Sequence, residues 1–188
     1  MNRSLSALLK SASASAIEEQ MQAWFQITML LEKNTRPFDG NGFYETILPH
    51  GVLGIHLDEE AQAEILQELA KKTYPRSVAP SVFWAIGKSL PGAGAPILLH
   101  FVDEHPDLLN DPQVAYQTVI ALENCLDYER TAEATRRVEE RLRGLPVVEF
   151  LRQASSSPDQ KLSEHATRLL RRLTRTPRGR ERERWTTA

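Results

Sequence analysis

The chain has 188 residues, a formal net charge of −2, one Cys, 9 Gly and 11 Pro, and 41% of its residues are hydrophobic. That length suits a single domain, and the apolar share is too high for a wholly disordered chain. One Cys excludes an intramolecular disulfide framework and a Cys-based zinc ribbon, and no apolar run approaches the roughly 20 residues that span a bilayer.

Residues 1–15, MNRSLSALLKSASAS, carry an apolar piece only from Leu5 to Leu9, bounded by Lys10. A secretory segment needs about 7–15 apolar residues, so this stretch is predicted to be a flexible N-terminus and the protein to be cytoplasmic. Ser15 and Glu18 have the spacing of a capping box. Behind them Ile17, Met21, Trp24, Thr28 and Leu31 recur every three or four residues, which predicts an amphipathic helix over 16–33. Pro37, Gly40, Gly42, Pro49 and Gly51 then punctuate an irregular segment, 34–57. There Leu53, Ile55 and Leu57 alternate with Gly54 and His56, which fits either a short hairpin with 43–48 or an extended loop packed on helices.

Asp58 is the predicted cap of the next helix, 59–73, with Ala61, Ile65, Leu66, Leu69 and Ala70 as its stripe. A further helix runs to about Leu90, where Pro91-Gly92 stops it. A short helix follows over 95–104, with Pro96 in its first turn. Asp111-Pro112 opens a helix that reaches about Tyr128. Residues 130–143 are helical and highly charged, either separate or continuous with it. Pro146 opens a helix through Ala154, and Ser157-Pro158 opens another that reaches about Arg175.

Three of these helices align without gaps: VAPSVFWAIGKSL (78–90), VAYQTVIALENCL (114–126) and LSEHATRLLRRLT (162–174). Counted from each first residue, offsets 0, 4, 7, 8 and 11 hold Val78, Val82, Ala85, Ile86 and Ser89, then Val114, Thr118, Ala121, Leu122 and Cys125, then Leu162, Ala166, Leu169, Leu170 and Leu173. These offsets share one helix face. An apolar helix precedes each member, with Asp or Pro in the turn, and helix pairs repeated in this way bury their faces by stacking.

In these residues, DPQVAYQTVIALENCL and SPDQKLSEHATRLLRRL above all, the chain resembles the HEAT-repeat (armadillo-like) family of α-solenoids over roughly 58–175. The resemblance implies an all-α fold: a short HEAT-like α-α superhelix of about three helix pairs. Residues 16–57 would be an N-terminal cap, with a basic flexible tail at 177–188. It also implies binding of a protein partner through the second helix of each pair, on a concave face.

No sequence pattern for catalysis survives inspection. Gly87-Lys88-Ser89 resembles the end of a phosphate-binding loop, but Val82 stands where that motif needs Gly, and the stretch is helical. His100, Asp103 and Glu104 share a helix face, yet His105 is turned about 140° from His100, and a metal site is not expected. Cys125 occupies a packing offset beside Glu123 and Asp127, which do not activate a thiol. The chain is therefore expected to be non-enzymatic, without cofactor or metal.

The offsets off the core define the candidate contact surface. Trp84, Tyr116 and Ile120 form its aromatic and apolar part, Lys88 and Glu123 its charged middle, and Arg168, Arg171 and Arg172 its basic end. The alternative for Trp84 and Ile120 is simple packing on a neighbouring helix. Between 168 and 188 the chain holds eight Arg and two Glu, a net +6, which leaves −8 on the other 167 residues. A solvated helix end, an acidic protein partner and nucleic acid all fit such a face. The expected role is a protein-interaction scaffold or adaptor, with an inhibitor or immunity protein as one form of it. Nucleic-acid binding through the Arg-rich end is the competing reading, and no membrane contact is expected.

Overall fold

A computed structural model describes residues 3–38, 42–127 and 132–174. The described residues are all-α, with no strand among them. The helices are α1 (Arg3–Ser11), α2 (Ile17–Thr35), α3 (Phe43–Ile47), α4 (His50–Leu53), α5 (Glu59–Ala70), α6 (Ala79–Gly87), α7 (Pro91–Glu104), α8 (Pro112–Asp127), α9 (Ala132–Leu142), α10 (Leu145–Ser155) and α11 (Gln160–Thr174). A 3-10 turn at Leu108–Asn110 leads into α8. None of these helices is long and apolar enough to cross a membrane. The basic tail expected at 177–188 lies outside the described residues.

Asp side chains start several helices, because each carboxylate accepts amides that have no partner within the first turn. Asp58 Oδ1 accepts from Ala61 N at 2.9 Å, and Asp111 Oδ1 from Gln113 N at 2.9 Å and Val114 N at 3.2 Å. At α11 the cap is Asp159, which accepts from Leu162 N at 3.0 Å, two residues beyond the predicted Ser157. Ser157 instead accepts from Asp159 N at 3.2 Å and shapes the turn.

Other starts differ more. The Ser15 capping box does not form: α2 begins after Ala16, which makes no side-chain cap, and Gln20 Nε2 instead ties back to the Ala14 carbonyl. Residues 3–11, expected to be flexible, form α1, whose Leu5 and Leu8 are buried against the fold together with Ala12. Helix α7 starts at Pro91, which leaves Pro96 inside it on the exposed side. Pro at N1 costs nothing, because that amide is unpaired in any helix; Pro96 forgoes the bond to the Gly92 carbonyl and sets its ring against that carbonyl. The hairpin alternative for 43–57 is replaced by the short helices α3 and α4. Asn34 holds this segment to α2, accepting from Leu57 N at 2.8 Å and donating to the Leu30 carbonyl at 2.8 Å. Buried Gln62 completes the anchorage, donating to the Leu57 carbonyl at 3.1 Å and accepting from Leu90 N at 2.8 Å. Residues 132–142 form a helix of their own, α9.

The predicted repeat face is the core. Every residue at offsets 0, 4, 7, 8 and 11 is buried except Leu170, which is half-buried. The two polar members bond to their own helices, Ser89 Oγ to the Ile86 carbonyl at 2.6 Å and Thr118 Oγ1 to the Val114 carbonyl at 2.8 Å. Cys125 is buried among them and forms no disulfide.

Helix α2 packs on α6, α6 on α8, and α8 on α11; on the other side α5 packs on α7, and α7 on α10. Cross-helix contacts in the first row advance together along both partners. Phe25 meets Trp84 and Glu32 meets Lys88; Tyr116 meets His165, and Asp127 meets Arg172. Helices α2 and α6 therefore run parallel, as do α8 and α11. Gly87 allows the closest approach: a Cβ there would stand 2.8 Å from Ala121 Cα on α8.

Candidate interaction face

The outward stripe of each helix in the row builds this face. On α2 it is Ile17, Met21 and Phe25, spaced by four; on α6 it is Pro80 and Trp84; on α8, Tyr116 and Ile120. Ile17 and Met21 are 46% and 45% exposed, far more than the predicted core stripe of α2 allowed. The buried side of α2 instead runs through Gln20, Trp24, Ile27, Thr28 and Leu31. Trp84 is half-buried, and its ring lies 6.1 Å from Phe25 at an interplanar angle of 36°. It therefore packs on a neighbouring helix and keeps part of its surface in solvent. Tyr116 sits edge-on to His165, with centroids 5.8 Å apart at 87°. Gly87, at a contact offset by sequence, is buried against α8.

The charged candidates are tied to one another. Lys88 is paired with Glu32 of α2. Glu123, its side chain 12% exposed, takes both ends of the Arg168 fork, with Nε at 2.9 Å and Nη2 at 3.0 Å. Such bidentate pairing is the strongest geometry open to Arg and a carboxylate. Glu123 Oε2 also lies 2.7 Å from His165 Nδ1, and the same nitrogen lies 2.7 Å from Arg168 Nη2. Guanidinium only donates and carboxylate only accepts, so Nδ1 serves one of them at a time: protonated it donates to Glu123, unprotonated it accepts from Arg168.

Arg172 bonds to Asp127 at 2.7 Å and to Glu139 of α9 at 3.4 Å. Glu139, 5% exposed at the side chain, also receives Arg143 at 3.5 Å, and Arg143 Nε donates to the Leu173 carbonyl at 2.9 Å. Of the arginines predicted as a basic patch, Arg168 and Arg172 thus hold α11 to α8 and α9, while Arg171 is exposed.

The irregular segment passes beside the Glu32–Lys88 pair. Tyr44 is buried there, and its hydroxyl accepts from Phe38 N at 2.9 Å. Burial holds its pKa above the ordinary value; the Phe38 amide opposes this, the Glu32 carboxylate adds to it, and Lys88 opposes it. Elsewhere His100 and His105, predicted to diverge, have ring centroids 6.0 Å apart, because the chain leaves the helix at His105. Among the described residues no three His, Cys, Asp or Glu side chains gather as a metal site would require.

The candidate contact residues are distributed over three helices that pack in series: Trp84 and Lys88 on α6 and its C-cap, Tyr116, Ile120 and Glu123 on α8, and Arg168, Arg171 and Arg172 on α11. Sequence reasoning missed the contribution of α2. The signal was present: Ile17, Met21 and Phe25 repeat at strict fours, a spacing that drifts off the 3.6-residue core stripe. No protein-family model, curated protein or solved structure matches the chain.

Proposed function

We propose that the chain is a short HEAT-like α-α superhelix that acts as a non-enzymatic scaffold or adaptor, binding a protein partner on the face formed by α2, α6, α8 and α11. The observation that carries this reading is the packing series α2, α6, α8 and α11, in which half-buried Phe25, Trp84 and Tyr116 are accompanied by exposed Ile17 and Met21 on α2. Parallel neighbours joined through a second row are what repeated helix pairs produce when they stack. Exposed aromatics with a polar surround are the usual anchors of protein interfaces. A preformed face of this kind acts by complementarity alone and needs no cofactor. An inhibitor or immunity protein would use it in the same way, and the cytoplasm is the compartment proposed for it.

The competing reading, nucleic acid at the Arg-rich end, draws less support. Arg168 and Arg172 are committed to Glu123, Asp127 and Glu139, which leaves Arg171 and the arginines beyond Thr174. Titration with generic duplex DNA and RNA at 50 and 200 mM salt separates the two. A protein-binding face predicts little affinity at either salt. Tight binding at low salt that weakens by orders of magnitude at the higher salt, and that disappears when 175–188 is removed, would replace it with the nucleic-acid reading.

A further inference from the structure

A cavity of about 350 Å³ opens where α5 and α7 end and α6 begins. Helices α5 and α7 start together, since a Cβ on Gly92 would collide with the Glu59 carboxylate, and they pack along each other. Both therefore reach the cavity with their C-terminal ends, α5 through Ala70 and Lys71 and α7 through Phe101 and Glu104.

Its inner lining is apolar and aromatic. Ala79, Val82, Phe83 and Phe101 are buried, and Tyr74 and Leu108 are half-buried. The Phe83 and Phe101 rings lie 5.1 Å apart, and the His105 ring lies 5.5 Å from Phe101. The Tyr74 hydroxyl already donates to the Leu69 carbonyl. This volume is at the lower end for small-molecule sites, and such walls suit a compact ring system.

The charge on the lining is unevenly matched. Its two bases are engaged: Lys71 pairs with Glu68 at 2.6 Å, and Lys72 Nζ donates to the Ser13 hydroxyl at 2.7 Å. Arg76, in the same connection, lies off the lining. Glu104 and Asp107 are exposed on the lining and have no basic partner among the described residues. The last turn of α7 holds no base, and its terminal carbonyls already make that end negative, so the two carboxylates add charge of the unfavourable sign. The start of α6 gives an anion nothing to bind. The amides of Val78 and Ala79 donate to the Pro75 carbonyl, those of Ser81 and Val82 to the Val78 carbonyl, and Pro80 has none.

We propose that this cavity binds a small organic cation, a primary amine carried on an aromatic ring system. The ring lies among Tyr74, Phe83 and Phe101, and the ammonium bonds to Glu104 and Asp107. It supplies the positive charge that the end of α7 lacks, through hydrogen bonds between charged groups. None of the candidate partner-contact residues lines the cavity, so the site is separate from the protein-binding face.

The test is calorimetric titration of the full chain with three probes that share one ring system: tryptamine, neutral indole and indolepropionate. The proposal expects tryptamine to bind, indole to bind at least tenfold more weakly, and indolepropionate not to bind. In an amide correlation spectrum tryptamine should shift Tyr74, Phe101 and Leu108 and leave α11 unmoved. Glu104→Gln combined with Asp107→Asn should weaken tryptamine at least tenfold and leave indole unchanged, whereas Glu149→Gln on α10 should change neither. Both substituted carboxylates are exposed, so circular dichroism of the double variant should match the parent. Leu108→Trp, which fills the cavity, should abolish tryptamine binding. Indolepropionate binding as tightly as tryptamine, or tryptamine binding indifferent to the double substitution, would overturn the proposal. So would the absence of any tryptamine shift at Tyr74 and Phe101 up to about 5 mM.

Discussion

Tyr74 is a residue whose neutral form the fold prefers. Its ring packs edge-on to Trp24 at 5.4 Å, its hydroxyl donates to the Leu69 carbonyl at 2.8 Å, and burial raises its pKa well above the ordinary value. Tyr44 is shifted the same way by burial. A raised pKa in the folded state means that the unfolded chain loses its proton first as pH climbs. The stability is therefore intact below about 10, the unfolded value, and declines above it. The melting temperature should hold from pH 7 to 9 and fall between 10 and 11. Tyr74→Phe should cost about 1 kcal/mol at pH 7 through the lost hydrogen bond, yet show a shallower alkaline fall; parallel melting curves across pH would check both. Two glycines give a second contrast at this scale. A methyl at Gly87 would stand 2.8 Å from the Ala121 backbone, so Gly87→Ala should destabilise by about 1–3 kcal/mol. Gly54 has φ −82° and no atom within 4 Å of an added Cβ, so Gly54→Ala should be neutral or stabilise by about 0.5 kcal/mol. Urea midpoints of the two variants should move in opposite directions or differ by that margin.

At the scale of elements, α9 stands out because its charged surface leaves only Val138 and Leu142 as large buried apolar anchors. What secures it is polar: Glu139 bridges Arg143 of its own end and Arg172 of α11. Removing the carboxylate leaves Arg172 with Asp127 and Arg143 with the Leu173 carbonyl, and each guanidinium is about a third exposed and so partly rescued by water. Glu139→Ala should therefore cost about 2 kcal/mol rather than the full price of a buried pair. Amide exchange should rise first in α9, and a uniform rise across all helices would contradict this assignment. The same elements show what a sequence can reveal. Helices α5 and α8 announced themselves because Asp58 and Asp111 make local bonds to amides two or three residues on, and the repeat offsets marked the core because the period of a helix is fixed. Helices α1, α3 and α4 did not, since none reaches the dozen or so residues at which an isolated helix holds itself. They are held by packing on distant elements, α1 and α3 on α2 and α4 on α1, and the chain just after α4 is fixed by Asn34 and Gln62, which both bond to Leu57. The contact residues Trp84, Tyr116 and Ile120 could be named from their offsets. The pairing of Glu123 with Arg168, 45 positions apart, leaves no local trace.

Across the described residues, the helices of the row pack in series, α2 with α6, α6 with α8 and α8 with α11. If the series behaves as the proposed stack of repeats, its stability is distributed along its length, with central elements coupled to both sides and terminal ones to one. Helix α11 buries Leu162, Ala166, Leu169 and Leu173 on one side, while Glu164, Arg168 and Arg171 are exposed. Two equivalent truncations should therefore have unequal reach. Leu169→Ala in α11 and Leu122→Ala in α8 each remove a fully buried leucine and should each cost about 2–5 kcal/mol locally. In native-state hydrogen exchange, Leu169→Ala should speed α10 and α11 and leave α2, α5 and α6 near their original protection. Leu122→Ala should loosen helices on both sides of α8, because α6, α7, α9 and α11 all pack on it. If Leu169→Ala instead lowered protection equally from α2 to α11, the helices would share one cooperative core. The interaction face on α2, α6, α8 and α11 would then be the surface of a single bundle, and adding or removing a terminal helix pair could not lengthen or shorten it. If protection falls only at the α11 end, the interaction face is modular, and the aromatic part carried by α2, α6 and α8 keeps its geometry when α11 is loosened.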